Sequence, residues 1–230
     1  MEVLSVDKTS TQNYREYLVL VTAGEVKLEG NLVIPDTARG IVVFAHGSGS
    51  SRHSPRNRYV ARVLQQAGLA TLLIDLLTHE EEAIDLITRQ LRFDIELLAS
   101  RLVNTTDWLA QNPETHHLQI GYFGASTGGA AALLAAAKRP QVVKAVVSRG
   151  GRPDLAGSAL PHVQAATLLI VGGYDTQVIE MNQDALKKLG IEKQLQIIPK
   201  ATHLFEEPGA LAAVAQLASQ WFMHYLMPEN

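Results

Sequence analysis

Leu118–Lys138, LQIGYFGASTGGAAALLAAAK, decides the fold. It opens on an apolar run of strand length and closes on an Ala-rich run of helix length. Gly124-Ala125-Ser126-Thr127-Gly128 lies between them. This is a G-x-S-x-G turn in a strand-to-helix setting, and its glycines have a steric job. A serine in such a strained turn needs small neighbours, because strand and helix pass close to each other there. At a helix N-terminus Ser126 would also meet unpaired N–H groups and a partial positive charge. A plain turn with Ser126 as a helix N-cap is the alternative. The strand before it and the helix after it favour a nucleophile.

Outward from this stretch the same alternation repeats. Short continuous apolar runs occur at 41–45, 70–74, 142–148, 166–171 and 194–198, as well as at 118–123. They suit strands buried on both faces of a mainly parallel sheet. Helical patterns fall between them at 58–67, 93–111, 127–138 and 178–189, and a last one spans 209–226. The first part of the chain differs. Tyr14 to Thr22 and Glu25 to Ile34 read as two antiparallel strands turning at Gly24. The expectation is one α/β domain over residues 1–230, with a sheet of about eight strands, helices on both faces and an N-terminal hairpin. The segment between Ser148 and Ala165 is too short for a large cap domain.

Sites in such sheets lie at the carboxyl ends of the strands. His46-Gly47-Ser48-Gly49 follows the run ending at Ala45. Its backbone can donate from Ser48, with Gly49 as the alternative, beside the N–H of Thr127 to form an oxyanion hole. A phosphate-binding loop would need a following lysine in G-x-x-x-x-G-K-[ST], which is missing. After the nucleophile an acid and then a histidine are expected. Asp175 follows the strand ending at Val171, and His203 follows the strand ending at Ile198. Asp154 is a second candidate acid, on a longer loop. His162 precedes a strand and His224 lies in the terminal helix, so neither is placed as a base. In that arrangement Ser126 attacks an acyl carbonyl, His203 takes its proton and Asp175 orients the imidazole.

Composition narrows the rest. A net charge of −3 gives no basic footprint for nucleic acid. With no cysteine, disulfides and thiolate metal sites are excluded. The polar stretch from Met1 to Tyr14 lacks the basic-then-apolar pattern of a signal peptide, and the apolar runs are short of a membrane span. A cytoplasmic protein without a membrane partner is the expectation, and no feature specifies an oligomeric state. His46, Arg52, Arg149 and Arg152 are candidate substrate contacts, because they too follow strand ends. Arg56, Arg58 and His53 cluster with Arg52, although loop-bracing arginines are the commoner case. The Glu80-Glu81-Glu82 run beside His79 reads as a helix start rather than a metal site. His116-His117 has no ligand spacing.

Five segments together resemble the dienelactone hydrolase family of the α/β-hydrolase superfamily. They are FAHGSGSSRHSPRNRYVA from Phe44, IGYFGASTGGAAAL from Ile120, SRGGRPDLA from Ser148, LLIVGGYD from Leu168 and ATHLFEEPGAL from Ala201. More closely, the chain looks like the small hydrolase units that sometimes occur fused to phosphoribosyltransferase domains. The resemblance implies an α/β-hydrolase fold and hydrolysis of small esters or lactones without a cofactor or metal. One position departs: dienelactone hydrolases use a cysteine nucleophile where Ser126 stands. A peptidase or thioesterase with the same triad, or a non-catalytic small-molecule binder of this fold, are the competing readings.

Overall fold

The computed structural model describes residues 2–7 and 14–227. Three strands open the chain: β1 (Glu2–Asp7), β2 (Tyr14–Ala23) and β3 (Val26–Pro35). Then come β4 (Gly40–Ala45), α1 (Pro55–Gln66), β5 (Ala70–Ile74), α2 (His79–Thr88) and α3 (Ile95–Gln111). The second half runs β6 (Gln119–Ala125), α4 (Thr127–Lys138), β7 (Val143–Arg149), β8 (Ala166–Gly172), α5 (Thr176–Lys188), β9 (Lys193–Ile198) and α6 (Ala210–Leu226).

All nine strands form one sheet in the order β1-β2-β3-β5-β4-β6-β7-β8-β9. Pairing is antiparallel from β1 to β5 and parallel from β5 to β9. β2 and β3 meet through a two-residue turn in which Gly24 takes φ 69°, a left-handed geometry that glycine adopts without strain. About eight strands were expected from the sequence, and the ninth is β1. Its sequence, EVLSVD, has no continuous apolar run, as suits a strand that pairs on one side only.

Strand alternation feeds two cores. Ile41, Val43 and Tyr122 point to the side covered by α3, α4 and α5. Val42, Phe44 and Phe123 point to the side covered by α1 and α6. Helix α4 is buried along Thr127–Ala136, which explains why it is apolar on every side. β4, β5 and β8 are buried throughout, as their continuous apolar runs predict. β9 is not: as the edge strand it stays half-exposed. The connection from β7 to β8 is a 3-10 segment, Pro153–His162, whose Ala156 and Leu160 are buried. It braces the helix layer and forms no cap. Among the described residues no helix is long and apolar enough to cross a membrane.

Candidate active site

β6 ends at Ala125, and the next residue takes a conformation that L side chains avoid. Ser126 has φ 52° and ψ −120°, a strain of order 1–3 kcal/mol. The surroundings hold it there. Its N–H donates to the Arg149 carbonyl at 3.2 Å, and its carbonyl accepts from Gly129 at 3.0 Å and from Arg152 at 3.2 Å. The tight approach depends on absent side chains. A Cβ on Gly124 would lie 2.4 Å from the Gly128 carbonyl oxygen, and one on Gly128 would lie 2.2 Å from the Ala45 carbonyl oxygen. Ser126 stands at the N-cap position of α4, yet its side chain makes no capping hydrogen bond. Ser126 lines a cavity of about 190 Å³ together with His203, Arg149, Asn57 and Leu204.

The histidine arrives from the far edge of the sheet. Asp175 Oδ2 accepts a 2.6 Å hydrogen bond from His203 Nδ1, and His203 lines the same cavity as Ser126. Two backbone bonds lock the loops that carry this pair: Gly173 N–H to Ile198 O at 2.8 Å, and Tyr174 N–H to Ala201 O at 2.9 Å. The imidazole also packs over Gly150. Asp175 is largely covered while His203 is 39% exposed, so the acid is shielded and the base is accessible. Asp154, the other candidate acid, is held by Arg152 through bonds of 2.9 and 2.8 Å, and it is Asp175 that bonds the imidazole.

Ser48 and Thr127 come together on the other side of the nucleophile, where their hydroxyls lie 2.9 Å apart. Ser48 Oγ also donates to the Arg92 carbonyl at 3.2 Å. Among the described residues neither backbone N–H is taken up by another backbone carbonyl, so both can donate to a reacting oxygen. His46 fixes the loop that presents Ser48. Its Nε2 accepts from the Leu76 N–H at 3.1 Å, so the proton sits on Nδ1, which donates to the Gly47 carbonyl at 3.0 Å. Burial pushes the His46 pKa down, against smaller opposite pulls from the Gly47 bond, Asp75 and Glu82. Both ring nitrogens are therefore spent on the backbone.

The arginines divide. Arg52 is tied to Asp75 and Glu29, and its own N–H donates to Asp75 at 2.6 Å. Arg152 is committed to Asp154, and Arg58 lines a separate cleft of about 590 Å³ beside β2 and α1. That cleft is larger, but it contains neither Ser126 nor His203. Arg149 alone among the four candidate contacts lines the Ser126 cavity without a committed partner, joined there by Arg56. Sequence reasoning missed Asn57, buried at the start of α1 and facing the same cavity. Only its place just after the Gly-rich loop could have marked it. Among the described residues no group of three or more His, Asp or Glu side chains is placed to hold a metal ion.

Comparison with known proteins gives this geometry a family. A solved dienelactone hydrolase from Anabaena variabilis is 76% identical, with a TM-score of 0.92 over 94% of this chain and 100% of that one. Est1E from Butyrivibrio proteoclasticus shares the fold at 16% identity, with a TM-score of 0.75 over 90% of this chain and 98% of its own. A Mycobacterium tuberculosis protein carrying a provisional phosphoribosyl transferase name is 58% identical over 225 residues, 98% of this chain. The chain spans about half the length of that relative, 50% of it. The family model of the dienelactone hydrolases matches residues 28–226, and the chain belongs to the dienelactone hydrolase family.

Proposed function

We propose that this chain is a serine hydrolase that cleaves small carboxylic esters or lactones through an acyl-enzyme on Ser126. The observation that carries the reading is the 2.6 Å bond from His203 to Asp175, with the same imidazole facing the cavity of a strained Ser126. His203 Nε2 takes the serine proton as Oγ attacks the carbonyl carbon, and the imidazolium formed is stabilised by Asp175. The carbonyl oxygen becomes an oxyanion and turns to the N–H groups of Thr127 and Ser48. Each such donor is typically worth about 3–4 kcal/mol in the transition state. Collapse expels the alcohol oxygen, which takes the proton from His203. Water then repeats the sequence on the acyl-enzyme, with His203 again the base.

Serine in place of cysteine suits this scheme, because a hydroxyl needs the adjacent base that His203 supplies. We assign hydrolysis rather than phosphoribosyl transfer to this chain, and the support is that Ser126, His203 and Asp175 all lie near the carboxyl ends of strands. The protein would act in the cytoplasm on a small molecule, without nucleic acid, membrane, metal or cofactor. A panel of short esters, lactones and thioesters tests the reading. Turnover of at least one ester or lactone, lost in Ser126→Ala, is expected; a folded wild type inert toward the whole panel contradicts it.

A further inference from the structure

We propose that the outer face of α2 is a two-fold interface, built to pair with α2 of a second copy of this chain. The inference goes beyond the reaction assigned above and does not depend on it. Asp85 is the one buried residue of this helix. The side chains on its outer side are apolar: Ile87 is 86% exposed, Leu86 68% and Ile84 56%. Phe93, shortly after the helix, is 56% exposed as well. Single exposed apolar residues are ordinary, but a run of them on one short element marks a contact surface.

The helix is fixed so that this face cannot turn inward. Thr78 and Glu81 form a reciprocal capping box at its start. On the inner side Glu81 accepts a hydrogen bond from Arg101 at 2.6 Å, and Asp85 accepts one from Arg92 Nε at 2.5 Å. Rolling the apolar strip toward the core would break both pairs and strand the charge on Asp85, which is buried.

The charges on α2 select what covers it. Glu80, Glu81 and Glu82 open the helix, and Arg89 closes it at φ 55°, a left-handed position that usually falls to glycine. Glu82 and Arg89 are two turns apart, so they lie on one flank of the apolar strip. Among the described residues neither has an ion-pair partner. A two-fold axis passing between Asp85 and Leu86 sets two such helices antiparallel. Ile84 then meets Ile87 of the second copy, and Glu82 meets Arg89 at both ends. The surface is thus complementary to itself, as a two-fold interface must be. A lipid surface fits less well, because membrane-bound amphipathic helices carry lysine and arginine beside the apolar face, and this one opens on three glutamates. A helix of 10 residues is about 15 Å long, so the contact is smaller than the roughly 800 Å² per partner of a standard interface. The dimer is therefore weak, with a Kd on the order of 10–100 µM.

Sedimentation velocity of the full chain from about 1 µM to about 500 µM tests this. The wild type should pass from monomer to dimer within that range. Ile87→Asp should stay monomeric throughout with an unchanged melting curve, because the residue is exposed. Glu82→Arg and Arg89→Glu should each weaken self-association roughly tenfold or more, since like charges then face each other at both ends. An equimolar mixture of these two variants should recover dimers, because every facing pair is again opposite in sign. Mere loss of helix stability would not produce that recovery. A wild type that is monomeric across the whole range would overturn the proposal, and so would a dimer that survives Ile87→Asp. Single variants whose mixture stays monomeric would overturn it as well. Flotation of a monomeric wild type with phosphatidylglycerol vesicles, lost in Ile87→Asp, would give the face to lipid instead.

Discussion

The loop after β4 and the loop after β9 each bring a histidine to the carboxyl edge of the sheet, and they use it in opposite ways. His46 is half-buried and spends both nitrogens, one on the Leu76 N–H and one on the Gly47 carbonyl. His203 spends one nitrogen on Asp175, and no hydrogen bond engages the other among the described residues. The arginines repeat the contrast: Arg52 is ion-paired with two carboxylates, while Arg149 pairs with none among the described residues. Residue type and strand-end position are shared within each pair. What separates a brace from a reactive group is whether its hydrogen-bonding capacity is already used.

Removing the open histidine should do the most damage to chemistry and the least to the fold. His203→Ala is expected to lower kcat by roughly ten-thousand-fold to a million-fold, read by steady-state kinetics, with the melting curve little changed. Asp175→Asn comes next, at roughly a thousand-fold to ten-thousand-fold, because the imidazole loses its preferred tautomer and the stabilisation of its charge. His46→Leu should invert the pattern. It strands the Leu76 N–H and the Gly47 carbonyl, which costs about 1–3 kcal/mol for each buried group left unsatisfied. Denaturant melts should show that loss while kcat falls far less than in His203→Ala. Equal kinetic damage from the two histidines would break the comparison.

The smallest effect concerns acid. An unfolded chain protonates His46 near pH 6.5, whereas the folded site resists protonation to lower pH. Below about pH 6.5 the unfolded state therefore binds more protons, and stability falls as the pH drops until the folded site protonates as well. Urea melts at about pH 7.5 and about pH 5.5 should show a shallower acid loss in His46→Gln than in wild type. An unchanged or steeper loss would mean that His46 is not held neutral by its surroundings.

Much of this was legible in the sequence. β5 and α4 begin and end where apolar continuity and the Ala-rich run place them. Ser126, Asp175 and His203 could be singled out because each lies within a few residues of a strand's carboxyl end, and a parallel sheet gathers such positions at one edge. Long-range pairing was not legible. Arg52 meets Glu29 and Asp75 from β3 and from beyond β5, and nothing local in the sequence announces either partner. The isolation of Arg149 is equally hidden, since a missing partner is a property of three-dimensional neighbours. β9 shows the same limit: its apolar residues look like those of a central strand, and only its place at the edge exposes them.

The most direct test of the central claim is intact-protein mass spectrometry with peptide mapping after treatment with a fluorophosphonate probe. Wild-type protein should gain one probe mass located on Ser126, Ser126→Ala should gain none, and His203→Ala should react far more slowly. A well-folded wild type that stays unlabelled, or that carries the adduct on another residue, would contradict the assignment of Ser126 as the activated nucleophile.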